Sequence, residues 1–385
     1  MGPIALFDKS FLQSLSIDES VWFDNFFLSN VCPLFYVETL ADLDKAVKEG
    51  RTPEKEVQII AEKFPAMHGA PCLHHATMAL HELLGDSIPM TGQIPLAEGR
   101  LVKIDGKSGV VYDESPEAAA FSRWQEGKFL QVERSFAKSW RETISSLDLR
   151  GVSETFKVLG ISGTSCKNIE EAKLIAEEFV NADDKRFERM MLPLYFLGVP
   201  TEYHLPIIQR WTSEGCPPLS IFAPYAAYVS KVEIFFQIAL AASIISAERP
   251  SNRIDIAYLF YLPFCMVFIS SDKLHKKCAP LFLREDQEFI HGVELKNDLN
   301  KIDSYYKTFP DDKKALGIMS FACYPPVHEE FLVSHLWDRH LRPWRERTET
   351  STPMHPEIST LLIEQLEKER KAPTLQPEEV DFDTR

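Results

Sequence analysis

Two short apolar runs, each ending in an aspartate, constrain this chain more than any other feature. Ile4-Ala5-Leu6-Phe7 leads into Asp8, and Cys265-Met266-Val267-Phe268-Ile269-Ser270-Ser271 leads into Asp272. An apolar run without polar alternation is the pattern of a strand buried on both faces, as in a parallel sheet. Parallel strands need long crossovers, usually helices, so the expected fold class is α/β. In open α/β sheets ligands bind beyond the carboxyl ends of the strands, and both aspartates fall there.

The formal charge of −15 argues against indiscriminate coating of nucleic acid or of anionic membrane, while leaving room for a local basic groove. The seven cysteines include no Cys-x-x-Cys pair, and several sit in apolar runs, as reduced core thiols do; a cytoplasmic setting is expected. Two segments approach membrane-span length. Val232–Ala247 is short and carries Glu233 and Gln237, and Ile254–Ser271 opens with Asp255 and is divided by Pro263. Both read as parts of a soluble protein with no membrane partner. The N-terminus has no basic region ahead of its first apolar run, so no signal peptide is expected.

Along the chain the pattern predicts a strand at 4–7, a helix near 18–28 and a helix near 33–48. On the last of these Glu38 and Asp42 lie one turn apart, Asp42 as an exposed helix acid. Residues 51–219 differ in character. They hold a His-rich helix over 71–84, a hairpin over 100–112 turning at Asp105-Gly106, a helix from the Ser115-Pro116 cap to about 147, and a helix over about 169–191. From 220 to 310 the chain is strongly apolar. A helix near 225–247, one opening at Ser251-Asn252, a strand at 264–270 and a strand at 288–290 are expected. Residues 311–348 read as a helical extension with clustered arginines, and 349–385 as a partly disordered tail.

Acids are common in this chain, so their contexts matter more than their number. Asp255 opens a helix, where the macrodipole favours a carboxylate. Asp272 follows a buried strand at a spacing that a short helix, a tight connection and a strand fill. Leu6-Phe7-Asp8-Lys9-Ser10-Phe11-Leu12, Tyr36-Val37-Glu38-Thr39-Leu40 and the stretch from Arg253-Ile254-Asp255 to Ser270-Ser271-Asp272-Lys273 resemble the motifs of the PIN-domain family of metal-dependent ribonucleases. The resemblance covers about 1–50 and 220–310, under half of the chain. It implies a PIN-like parallel sheet sandwiched by helices, with 51–219 as a mostly helical insertion, and it sets this chain apart from the family's small toxin members.

The resemblance also implies a role for the acids. Asp8, Glu38, Asp255 and Asp272 would be both catalytic residues and ligands of Mg²⁺ or Mn²⁺, activating water for attack on a phosphodiester of RNA or, less favoured, single-stranded DNA. Four carboxylates in one pocket repel unless a cation is present, which fits that expectation. Lys273, Lys276 and Lys277, next to His275 and directly after Asp272, are the expected contacts for substrate phosphate. Solvated surface charge is the default for such lysines.

Three other groups of residues stand out. His68, Cys72, His74, His75, His81 and Glu82 crowd one segment, but His-x-x-x-His and His-Glu-x-x-His are absent, so buried hydrogen-bonded histidines are expected rather than zinc ligands. Arg134, Lys138 and Arg141 form a basic stripe at helical spacing. His335, Arg339, His340, Arg342, Arg345 and Arg347 interleave with Trp337 and Trp344, a mixture suited to phosphates and bases. The alternative to a nuclease is therefore a non-catalytic PIN-like scaffold that binds RNA or a protein partner through the insertion and the arginine-rich C-terminal region. No phosphate-binding glycine loop, nucleophile elbow or dinucleotide fingerprint is present.

Overall fold

The computed structural model describes residues 2–45, 50–63, 69–96, 99–104, 107–112, 115–158, 166–181, 186–327 and 330–345, with scattered positions between 361 and 374. Its centre is a five-stranded sheet built from β1 (Ile4–Phe7), β2 (Leu28–Val31), β3 (Gly69–Pro71), β6 (Val267–Ser270) and β7 (Glu288–His291). All four pairings are parallel, in the order β3-β2-β1-β6-β7. The strands β4 (Gly99–Ile104) and β5 (Lys107–Tyr112) form a separate antiparallel hairpin; its expected turn residues, 105–106, lie outside the described residues. Helices flank the sheet, so the chain is α/β as its apolar runs require.

The strand order explains where a ligand can reach the sheet. From β1 the chain steps outward to β2 and β3, then returns to lay β6 on the other side of β1. That reversal makes β1/β6 the switch point, where connections leave a crevice beyond the carboxyl ends. Phe7 pairs with Ile269, and the amide of Asp8 donates to the Ile269 carbonyl at 3.3 Å. Asp8 therefore leaves the sheet beside Ser270, two residues before Asp272.

Several elements differ from expectation. β2, Leu28-Ser29-Asn30-Val31, carries two polar residues and falls at the end of the helix expected over 18–28. That helix stops at Phe26, and pairing with β1 and β3 overrides a weak strand propensity. Asn30 is fully buried and donates to the Phe264 carbonyl at 2.8 Å. β3 lies within residues 51–219, so that segment also supplies an edge of the central sheet. The helix expected over 33–48 ends at Leu40 and tightens into a 3₁₀ turn at Ala41–Asp44. The Gly50-Arg51-Thr52-Pro53 stop signal also starts a helix, Pro53–Ala61, with Thr52 as its N-cap. The helix expected from Ser115-Pro116 to about 147 is divided into Pro116–Gln125 and Gln131–Ser145, and the helix expected over 169–191 is described as Ile169–Asn181 and Arg186–Phe196, with 182–185 outside the described residues.

Helix Pro224–Ala241 ties the insertion to the core. It is buried on nearly every side and packs against the helices Leu149–Val158, Ile169–Asn181 and His75–Leu84. Its Glu233 is paired with Arg253 at 2.9 Å, which accounts for a buried acid in an apolar helix. Helix Gly292–Lys307 packs against helix Ile17–Phe26, and Asp298 accepts from the amide of Val333 at 2.9 Å, fastening the C-terminal helix Leu332–His340. No helix among the described residues is long and apolar enough to cross a membrane. All seven cysteines are free, and five of them are buried.

Candidate functional site

Asp8 directly follows β1 and Asp272 follows β6 by two residues, and each caps the short helix that comes next. Asp8 accepts from the Phe11 amide at 2.8 Å, and Asp272 from the amides of Leu274 and His275 at 2.6 and 3.3 Å. Glu38 comes from helix Pro33–Leu40, and Asp255 from helix Asn252–Ala257, whose Ser251 gives no side-chain cap.

The four acids influence one another. Burial raises the Asp255 carboxyl to about 7, His275 opposes the rise, and the charges of Asp272, Glu38 and Asp8 add to it. Burial also raises Glu38. Lys9 and the Tyr258 hydroxyl, at 2.5 Å from Glu38 Oε2, pull it back, and Asp8 pushes it up again. Asp8 behaves differently. Burial works against its charge, but the hydrogen bond and charge of His275, with Ser270 and Phe11, outweigh that and hold its carboxyl below the usual carboxylate range.

His275 lies among these acids and is 1 % exposed, not a surface cation beside Lys273. Its protonation follows from counting hydrogens. Ser270 Oγ lies 2.7 Å from Asp8 Oδ2, 2.8 Å from His275 Nδ1 and 3.0 Å from the Asp272 amide. A hydroxyl has one proton to give and two lone pairs. With Asp8 ionised, Ser270 gives its proton to Asp8 and accepts from the Asp272 amide and from His275 Nδ1. His275 Nε2 faces the Asp255 carbonyl at 2.6 Å, which can only accept. Both ring nitrogens therefore carry hydrogen, and the ring is an imidazolium. Burial lowers its pKa, but Asp8 and Asp255 outweigh burial and hold it above the usual histidine value.

Beside the acids runs a cleft of about 740 Å³, lined among others by Lys9, Glu38, Asp42, Trp140, Arg141 and Arg249. Of the four acids, it is Glu38 that lines it. Its other wall is the insertion helix Gln131–Ser145, held by Arg141, whose Nε donates to the Ala41 carbonyl at 2.6 Å. Asp42 is 1 % exposed, contrary to expectation, because Lys9, Arg141 and Lys45 surround it at 3.1, 3.5 and 3.6 Å. Lys9 also donates to the Glu38 carbonyl at 3.0 Å, so it joins the helix turn to the start of the site.

The arrangement is not a preformed metal centre. Among the described residues no group of three or more His, Cys, Asp or Glu side chains is set to hold an ion. Asp8 is largely committed to the Ser10 and Ser270 hydroxyls and the Phe11 amide. Glu38 Oε1, both Asp255 carboxylate oxygens and Asp272 Oδ2 accept no hydrogen bond from a described residue. Lys273, Lys276 and Lys277 are exposed.

The other groups of interest are accounted for by packing. His75 lies tilted against the Phe260 ring, 4.8 Å between centroids, and contacts the Tyr261 hydroxyl at 3.1 Å; burial drives its pKa well down, keeping it neutral. Contrary to the expectation of buried histidines, His74, which caps its helix, and His81, which pairs with Asp86 at 2.7 Å, are both exposed; Glu82 is buried and accepts from the Ala226 amide at 2.9 Å. His68 lies outside the described residues. Arg134 pairs with Glu54 and Lys138 with Glu142. Arg339 and His340 both bind Glu288, Arg345 binds Asp338, and Trp337 and Trp344 are buried edge to face at 5.7 Å. Arg347 lies outside the described residues.

Sequence reasoning missed Ser270, Tyr258 and the role of His275. The Ser-x-Asp ending at 270–272 and a histidine three positions after Asp272 were the visible signals, but a buried imidazolium looks like a surface cation in a run of lysines. Comparison with known protein families, curated proteins and solved structures finds no match to this chain.

Proposed function

We propose that the chain is a PIN-like, metal-dependent nuclease that hydrolyses phosphodiester bonds of RNA, or less readily of single-stranded DNA, in a reducing, cytoplasmic setting. One observation carries the reading. Asp8 and Asp272 leave adjacent strands at the switch point of a parallel sheet, and Glu38 and Asp255 come close enough for the four charges to act on one another, adding to the burial that raises Asp255 to about 7. Clustered groups with perturbed pKa at such a crevice are the expected mark of a reactive site.

The donor set suits a hard cation, since every unengaged site atom is a carboxylate oxygen. Glu38, Asp255 and Asp272 would hold Mg²⁺ or Mn²⁺, with Asp8 as the fixed, fully ionised member. A bound ion would lower the pKa of a water molecule and offset charge on the phosphate. The protein's own contribution is positional. His275 and Ser270 lock Asp8 and the Asp255 backbone into one network, and Lys9 fixes Glu38 and Asp42. Lys273, Lys276 and Lys277 supply positive charge for substrate beside Asp272.

Purified full-length protein should cleave single-stranded RNA with Mn²⁺ or Mg²⁺ and not with EDTA. Asp255→Asn and Asp272→Asn should each abolish cleavage while the circular dichroism spectrum stays native-like and the thermal midpoint does not fall. Cleavage that survives both substitutions, or that ignores the ion, overturns the assignment.

A second reading, a non-catalytic PIN-like scaffold for RNA or a protein partner, is favoured by the His275 imidazolium. It already supplies a cation among the acids, and no ligand group is assembled. The paired arginines of 339–345 weigh against the C-terminal region as its contact surface. Tight RNA binding with no Mn²⁺ uptake by calorimetry would select this reading.

A further inference from the structure

A second cavity, about 520 Å³, lies where the insertion meets the second half of the core, and its charged lining is entirely positive: Lys167, Arg249, Lys273 and Lys277. The four cations come from three separate segments: the start of helix Ile169–Asn181, the loop after helix Pro224–Ala241, and helix Lys273–Cys278. All four residues are exposed, and none of the head groups is in an ion pair with a described residue. In a chain of net charge −15 they stand apart from Lys9, Lys45, Arg141 and Arg253 near the site, which face carboxylates. Four like charges held around one cavity repel each other, and an anion removes the repulsion.

Arg249 also lines the 740 Å³ cleft that contains Glu38, Lys9 and Trp140, so the two cavities share a wall. We propose that the cationic cavity is a phosphate subsite for a single-stranded nucleic acid, holding a non-scissile phosphate of the strand whose neighbouring segment enters the Glu38 cleft. The proposal rests on the nuclease reading for the direction of the strand but not for the binding itself. A strand of repeating phosphates fits both places at once. One phosphate is neutralised by lysine and arginine alone, and the half-buried Trp140 offers a face on which a base can stack. An acidic peptide would also meet the cations, but it has no base to lay on Trp140 in the adjoining cleft.

The test measures binding of a fluorescently labelled 12-nucleotide oligouridylate to the full chain by anisotropy in EDTA, where no cleavage occurs. Lys167→Glu and Arg249→Glu should each weaken binding by about tenfold or more. Lys167→Ala and Arg249→Ala should each lower the slope of log affinity against log salt by roughly 0.7, the single-strand value per phosphate contact. Lys313→Glu, on the exposed helix Asp311–Lys314, should change neither quantity. Absence of binding by the wild type overturns the subsite, as do unchanged affinities in the Lys167 and Arg249 variants. Equal displacement of the oligonucleotide by an oligoglutamate of the same length also overturns it, in favour of an acidic peptide. Cation-dependent binding without any cleavage on adding Mn²⁺ would uphold the subsite and reject the nuclease. Mn²⁺-dependent cleavage with unchanged binding in the variants would do the reverse.

Discussion

Nδ1 of His275 lies 3.6 Å from Oδ2 of Asp8, a buried charge pair joined by the hydroxyl of Ser270. Two elements from opposite ends of the chain meet there, and neither charge has solvent to fall back on. Removing one member leaves the other uncompensated, which typically costs about 3–5 kcal/mol for a buried pair. His275→Gln should therefore lower stability by several kcal/mol in urea denaturation. Asp8→Asn should lose a comparable amount despite keeping its cap. The double variant should lose clearly less than the sum of the two. Strict additivity would mean that the pair is not coupled.

Asp255 presents the opposite case. Its carboxyl is raised to about 7, so the folded state keeps a proton that the unfolded chain releases at the ordinary carboxylate value. The sign follows from linkage: between about pH 4 and pH 7 the folded state binds more protons, so stability falls as pH rises and then levels off. Asp255→Asn should remove that fall and stabilise the protein at pH 8 by roughly 2–4 kcal/mol, at about 1.4 kcal/mol per pKa unit. Thermal midpoints at pH 5 and pH 8 check this. A variant that loses activity while gaining stability marks a carboxylate kept for chemistry.

Gly292, at the start of helix Gly292–Lys307, sits against the Asp272 turn. A methyl group there would press into Ser271 Oγ and lie 3.0 Å from the Phe11 ring. Gly292→Ala should lower stability by about 1–3 kcal/mol, as overpacking does, and should reduce cleavage through displacement of Asp272. Gly109→Ala, where a methyl meets nothing within 4 Å, serves as the control and should be near neutral.

Arg141 joins the insertion helix to the core by its bond to Ala41 and its pair with Asp42. Arg141→Ala should cost about 1.5–3 kcal/mol, the range for hydrogen bonds to a charged group. Hydrogen exchange should quicken over residues 131–145 and leave β1 and β6 protected. Uniform protection across that helix would show that the cleft wall is held by other contacts.

Legibility in the sequence followed the strength of local signals. β1 could be read to the residue because four apolar positions end abruptly at an aspartate that is also a good helix cap. The Ser115-Pro116 cap was equally plain, since Ser115 Oγ accepts from the Ala118 amide as the pattern requires. β2 was invisible because Ser29 and Asn30 look like loop residues until pairing buries them. Asp42 looked exposed because its three cationic neighbours come from residue 9, from its own turn and from the distant helix Gln131–Ser145.

The amino-acid sequence alone determined the chemical inventory: buried parallel strands, acids at their ends, caps that start the next helices, and an α/β class. These are local consequences of hydrophobic patterning and side-chain preference, so a short stretch of chain is enough to specify them. Tertiary structure decided which acids meet, that His275 stands among them as a cation, that Asp42 is sealed, and that Lys167 and Arg249 share a cavity with Lys273 and Lys277. Those outcomes depend on burial and on charges brought together from distant segments. The strength of each interaction is set by the dielectric and the distance in the folded state, and neither quantity exists until the chain has returned from β3 to place β6 beside β1.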